Sequence, residues 1–341
     1  MTLPESAVLF LKPHACNNTA LARLQSLLAS KSVRITRRVV LTGQELKEKK
    51  ILEKQYPKML QYATGSRLGL VKLNGLERVR FEGTYFTTWK DAIRARRLYN
   101  AYAARLVLGY NNQELGVKWN ESQILTLSKG LQVTQIQPDI VALQSQSTHN
   151  HKQQSKKGSM SLKDVVVSDD EEEVPAILVI NGFVPQLVDE YEAAQFALTV
   201  FVVEWDGMDL SWEQFDQEVM GNKDPSKAIP GSIRNDMFEH WEDEWDMPVQ
   251  PSSVENGVHV SSSALAALAE RMIYFEGTLL YTDILGSKLL RNRFRTGDIN
   301  YWLTDPVMAT GSNLFDSLRG KGADECIEIL GKLNEKSYKL L

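Results

Sequence analysis

Arg234, Asn256, His259 and Glu270 are the residue types needed to hold a polyphosphate and pass a phosphoryl group through a histidine. They lie within residues 221–270, where Pro230-Gly231-Ser232-Ile233-Arg234 precedes Asn256, His259 follows Asn256 by three residues and Glu270 follows His259 by eleven. A guanidinium presents a planar fork of donors that matches phosphate oxygens. An asparagine amide can bond a sugar hydroxyl or a bridging oxygen. An imidazole, with an ordinary pKa of ~6.5, is a competent nucleophile near neutral pH once an acceptor holds one ring nitrogen. Glu270 is such an acceptor. Each residue alone also fits a structural or solvated role, as a lone histidine more often does, so the set and its spacing carry the reading.

Composition bounds the rest. The chain has 341 residues, 43% of them apolar, enough for two ordinary domains or for one with a large insertion. A net charge of −4 gives no general field for polyanions. Cys16 and Cys326 lie far apart without ligand-like spacing, which argues against a disulfide framework or a zinc site and fits a reducing, cytoplasmic setting. No apolar run approaches the ~20 residues of a membrane span. No basic segment leads into an apolar one at the N-terminus, so no signal peptide is expected.

The elements that must position the set follow from the pattern. Residues 7–11 predict a buried strand ending at Lys12-Pro13. Asn17, Asn18 and Thr19 offer caps for a helix with Leu21, Leu24, Leu27 and Leu28 on one face. Residues 33–41 predict a second strand, and Thr42 or Gly43 opens a charged helix through about Tyr56, a βαβα start. Residues 68–73 with 79–81 suggest a hairpin. Residues 89–108 suggest a basic helix whose Arg94, Arg96, Arg97 and Arg105 fit a solvated face or a surface for nucleic acid or an acidic partner. From about Gln144 a polar stretch leads to Ser168 and five acidic residues, which predicts disorder over about 144–174. His149 and His151 there could bind a metal, and Ser168 suits an acidophilic kinase. Order returns at Pro175, with a strand at 176–180, a helix at 183–194, a strand at 198–205 and a short helix at 211–220. Beyond Phe275 a C-terminal extension ends in a helix near 323–333, and packing against the main domain is its default role.

Several pieces together resemble the nucleoside diphosphate kinases. Leu11-Lys12-Pro13-His14 is similar to the family's first-strand Lys-Pro-Asp, and Phe183 through Tyr191 to the helix before its third strand. Val202 through Gly207 resembles the strand ending in Trp-Glu-Gly. Met220 through Asp236 matches, without a gap, the loop ending Pro-Gly-Thr-Ile-Arg-Gly-Asp. Asn256-Gly257-Val258-His259-Val260-Ser261 resembles Asn-Ile-Ile-His-Gly-Ser, which carries the phosphorylated histidine, and Glu270 falls at the spacing of its orienting carboxylate. The resemblance implies an α/β (α+β) fold, a ferredoxin-like antiparallel sheet sandwich, in two parts, 1–65 and 176–276, with an insertion at 66–175 and an extension at 277–341. It implies ping-pong transfer of the γ-phosphate of ATP or another nucleoside triphosphate to a nucleoside diphosphate through a phosphohistidine on His259. Lys12 and Glu270 would complete the catalytic set. Lys12, Tyr56, Lys223, Arg234, Asn256 and Ser261 would contact nucleotide, and Mg²⁺ would bridge the phosphates with little direct protein ligation.

The departures matter as much. The family's loop arginine and threonine are Gln217 and Lys223 here, the Asp after Lys-Pro is His14, the Gly after the histidine is Val260, and the Asp two residues later is Ser262. An acidic interval, residues 239–246, precedes Asn256 and would repel an anion unless it faces away. Tyr56 equally fits an ordinary half-buried helix residue. The alternative is therefore a weak or inactive nucleotide-binding scaffold, of a ciliary or other assembly, that meets a protein partner through the insertion or the extension. Nucleic acid is not expected, because the arginine patch is short and lacks an aromatic platform. The family commonly forms hexamers or tetramers, so a homo-oligomer is open, although the insertion could block that packing.

Overall fold

The computed structural model describes residues 4–65, 67–138, 175–253, 255–309 and 311–338. The fold is α+β, with helices and two four-stranded sheets. Its strands are β1 (Glu5–Leu11), β2 (Arg34–Thr42), β3 (Leu98–Asn100), β4 (Ile124–Ser128), β5 (Leu131–Ile136), β6 (Ile177–Ile180), β7 (Ala197–Trp205) and β8 (Val258–Val260). Two compact units divide the chain, Met1–Ile51 with Ala194–Leu341, and Leu52–Ala193.

In the first unit the strand order is β2-β7-β1-β8, and each neighbouring pair is antiparallel. The apolar run of β1 is buried from Ser6 to Leu11 because both of its edges are paired and both faces are covered. Leu9 and Leu11 share a core with Val258, Phe201, Val203 and, from the Asn18–Ser30 helix, Leu24 and Leu28. Each such leucine contributes ~1.5–3 kcal/mol by leaving water. Trp205 stacks on Phe215 at 4.0 Å and meets Trp212 at 5.0 Å. The edge strand β2 exposes Arg34, Arg37 and Arg38, charges that oppose pairing with a further strand. Leu314, Leu318, Cys326 and Leu330 of the C-terminal segment are buried in the same core, so that segment belongs to the first unit.

The second unit's sheet runs β3-β6-β5-β4, with β3 parallel to β6 and the other neighbours antiparallel. Every residue of β6 is buried. Ile177 and Val179 join one apolar cluster with Trp119 and Val184, and Leu178 and Ile180 join another with Phe81 and Trp89. Period-two alternation thus places a core on each face.

Several sequence expectations change here. The hairpin expected near 68–81 is helical, because Asn74 and Glu77 form a reciprocal capping box that starts the Gly75–Tyr85 helix. Residues 89–108 are not one helix. Arg96 adopts φ 53°, and β3 separates the Trp89–Arg94 and Ala101–Leu108 helices, so the four arginines form no single stripe. The charged helix from Gly43 breaks at Lys50, φ 51°, into Gly43–Glu48 and Ile51–Gln55. The units divide at Ile51/Leu52 and Ala193/Ala194, where the sequence reading divides at 65/66 and 175/176. The first boundary moves because Met59, Leu60 and Ala63 pack in a core of the second unit, and the second because β6 pairs with β3 and β5. The disorder expected over 144–174, with His149, His151 and Ser168, lies outside the described residues. Among the described residues no helix is long and apolar enough to cross a membrane.

Candidate active site

His259 sits on β8 opposite Phe10 of β1. Facing pairs put their side chains on one side of a sheet, and the imidazole stacks on the Phe10 ring at 4.4 Å and 15°. The Ala264–Tyr274 helix, capped by Ser263, carries Glu270 back to the strand. His259 Nε2 lies 2.9 Å from Glu270 Oε1. A carboxylate only accepts, so Nε2 is the donor and the neutral ring keeps its lone pair on Nδ1. The other carboxylate oxygen, Oε2, accepts from Ser261 Oγ at 2.6 Å, and Ser261 Oγ accepts from the Val8 N–H at 2.9 Å. Ser261, which the resemblance puts among the nucleotide contacts, is only 1% exposed. Its hydroxyl acts on Glu270 and β1.

Lys12 follows β1, and its N–H donates to the Gly257 carbonyl at 2.9 Å, which fixes it beside the strand of His259. Burial, with Arg234 nearby, lowers the Lys12 ammonium to about 8. Gly257 holds φ +75°, and a Cβ there would lie 2.5 Å from Met237 Cε, so glycine is what allows this turn. Arg234 lies in the first turn of the Ile233–Glu239 helix and is 4% exposed. Its Nη1 donates to the Gly221 carbonyl at 2.6 Å, its Nη2 to the Val258 carbonyl at 3.4 Å, and burial lowers it to about 10, still a cation at neutral pH. Asn256, 8% exposed, donates through Nδ2 to the Lys223 carbonyl at 3.1 Å.

Three buried polar atoms of this neighbourhood have no hydrogen-bond partner: His14 Nε2, Arg234 Nε and Asn256 Oδ1. Buried polar atoms are rarely left unpaired, and their gathering here suits a polar ligand. Burial and Lys12 lower the His14 imidazole to about 4, so it adds no charge at neutral pH. Beside these residues a cleft of about 510 Å³ is lined by Gly221, Lys223, Lys227, Arg319, Asp216 and Gln217 among others. Lys223 is exposed by area, yet the desolvation of its position and the cation of Arg319 hold its ammonium below the ordinary lysine range. Gln217 donates its amide to Glu213 at 3.4 Å. Among the described residues no three His, Cys, Asp or Glu side chains gather as a metal cage, and the cleft lining holds one carboxylate, Asp216. Such a lining fits a magnesium ion only through phosphate oxygens.

The structure therefore brings together Lys12, Lys223, Arg234, Asn256, His259, Ser261 and Glu270 within the first unit. Tyr56 belongs to the second unit, as the residue preceding the Pro57–Thr64 helix. The acidic interval faces the Asn18–Ser30 helix: Asn17 donates to the Trp245 and Asp246 carbonyls, and Glu244 pairs with Arg23. Sequence reasoning missed Arg319. Its only local signal is its place beside Gly320, Lys321 and Gly322.

No protein-family model and no curated protein matches the chain. The solved structure of an NDP kinase from Pyrobaculum aerophilum aligns with it at a TM-score of 0.35 and 14% identity, over 81% of this chain and 97% of that one.

Proposed function

We propose that this chain is a divergent nucleoside diphosphate kinase-like phosphotransferase that works through a phosphohistidine on His259. The observation that carries the reading is the 2.9 Å bond from His259 Nε2 to Glu270, which leaves the Nδ1 lone pair for a phosphorus, on a strand whose preceding residues Gly257 and Val258 accept from the Lys12 N–H and the Arg234 guanidinium. The antiparallel order β2-β7-β1-β8 supports a ferredoxin-like sheet for the first unit. In the first half-reaction, Nδ1 attacks the γ-phosphorus of a nucleoside triphosphate. The bond to the β–γ bridging oxygen breaks, and the diphosphate leaves with that electron pair. In the second, a terminal oxygen of another nucleoside diphosphate attacks the phosphorus, and the P–N bond returns its pair to Nδ1. Lys12 and Arg234 stabilise charge on the phosphoryl oxygens, Asn256 is set to bond the sugar or a bridging oxygen, and Glu270 keeps the ring oriented. A magnesium ion carried by the phosphates would neutralise part of their charge. The unpaired cysteines support a reducing, cytoplasmic setting.

The test is incubation with γ-labelled ATP. Wild-type protein gains an acid-labile, base-stable phosphate, and His259→Ala gains none. Absence of label on wild-type protein, or equal label on the variant, overturns the reading. A second reading, nucleotide binding without turnover in a scaffold, draws on Gln217, which brings no charge to the cleft. It predicts nucleotide binding with no acid-labile phosphate.

A further inference from the structure

The C-terminal segment enters the candidate site at one point. After the Leu314–Ser317 helix the chain buries Leu318, then turns through Gly320 at φ +70°. Backbone bonds fasten this turn to the loop that follows the His259 strand: Gly320 N–H donates to the Ser262 carbonyl at 2.9 Å, and Ala264 N–H donates to the Lys321 carbonyl at 3.0 Å. Arg319 stands between these anchors and lines the cleft with Lys223 and Lys227. Its side chain is 37% exposed, and a single 3.4 Å contact joins Nη1 to Asp216 Oδ2. Asp216 lies on the Phe215–Met220 π-helix, a form that often marks functional sites. The cationic series continues inward, since Arg234 grips the Gly221 carbonyl at the cleft wall and Asn256 grips that of Lys223. Burial first, and then Arg319 and Arg234, lower the Lys223 ammonium against Asp316 and Asp216, and burial first, and then Arg234 and Lys223, lower that of Lys12 against Glu255. Mutual repulsion along such a series is relieved by a multiply charged anion.

We propose that Arg319 is a phosphate ligand of this cleft, supplied from the C-terminal segment and aimed at the diphosphate portion of a nucleoside di- or triphosphate. The proposal rests on the nucleotide reading of the site. A guanidinium fork bonds two phosphate oxygens at once, and Asp216 holds it at the cleft edge through one long contact that a phosphate outcompetes.

The experiment titrates inorganic pyrophosphate into the full-length protein by calorimetry, and each preparation is scored for acid-labile phosphate from labelled ATP. Arg319→Ala weakens pyrophosphate binding roughly tenfold to a hundredfold, the loss of one charge-assisted contact. Arg319→Lys recovers part of it, because a point charge replaces a fork. Asp216→Asn tightens binding by freeing the guanidinium, whereas a purely structural Arg319–Asp216 pair would weaken it. Thermal melts show that each variant is folded. The proposal is overturned if Arg319→Ala binds within about twofold of wild type, if Asp216→Asn weakens binding, or if wild-type protein binds no pyrophosphate. Loss of pyrophosphate binding in Arg319→Ala, with no acid-labile phosphate on wild type, overturns phosphotransfer and sustains Arg319. Normal phosphohistidine with unchanged binding does the reverse.

Discussion

At the scale of residues, one hydrogen bond decides the character of the site. Glu270 accepts a hydrogen bond from the Nε2–H of His259, and Ser261 donates to Glu270, so the imidazole's free nitrogen is chosen by the fold itself. This much was legible in the sequence, because a histidine on a strand and a carboxylate eleven residues on reach each other only if the helix turns back along the strand. Ser261 reads in the sequence as a nucleotide contact, and the bonds of its hydroxyl to Glu270 and the Val8 N–H, at 1% exposure, could not be read there because neither partner adjoins it in the chain. Lys12 gives a pH test. Its ammonium is lowered to about 8, so charge at the site is complete below that value and is lost as pH rises through it. Affinity for a nucleoside diphosphate, followed by calorimetry, falls as pH rises through about 8, and Lys12→Met abolishes that step. Protein stability without nucleotide moves oppositely over this range. Between the lowered folded value and the ordinary lysine value of ~10.4, the unfolded chain binds more protons, so stability rises with pH.

At the scale of elements, apolar runs were readable and polar exceptions were not. The strands at 7–11 and 198–205 declare themselves because both of their faces are buried. The 68–81 stretch misled because its short apolar runs fit either period, and the Asn74–Glu77 box settles the matter locally. The Ala264–Tyr274 helix is held from its other end by Arg271, whose Nε and Nη2 reach Asp283 at 2.6 and 3.0 Å and whose Nη1 reaches the Ser6 carbonyl at 3.2 Å. Burial raises the Asp283 carboxyl, but Arg271 and the Gly286 and Leu285 N–H groups outweigh it, so it rests below the ordinary range. Its contribution is complete above the ordinary carboxylate value of ~3.9 and is lost as pH falls through the depressed one. Arg271→Ala leaves that carboxylate buried without its partner and destabilises the first unit by ~3–5 kcal/mol in urea unfolding. A loss near zero would show that water replaces the guanidinium.

At the scale of the molecule, the family resemblance implied an inserted segment between the two halves of the first unit, but not its edges. Residues 175–193 read as part of the first unit because β6 and the helix after it match a family pattern, yet β6 is the strand on which β3 and β5 both pair. Only long-range pairing reveals this, and local pattern carries none of it. A fragment of residues 52–193 therefore unfolds in one cooperative urea transition. A fragment of 66–174 lacks β6, leaves β4–β5 as a lone hairpin and does not; equal cooperativity in the two would refute this placement of the edge. Arg319 was hidden for the same reason, because its neighbours in space come from residues 213–227 and 262. The pairing of β2 with β7, Thr42 against Ala197, has a consequence for chain topology. The second unit departs from and returns to the junction of two adjacent strands, as an enlarged hairpin loop. The entropy of closing such a loop grows only with the logarithm of its length, by ~0.6 kcal/mol for each doubling. The first sheet is thus nearly indifferent to how much chain is strung between those two strands, and that junction can lengthen or shorten with little penalty to the sheet.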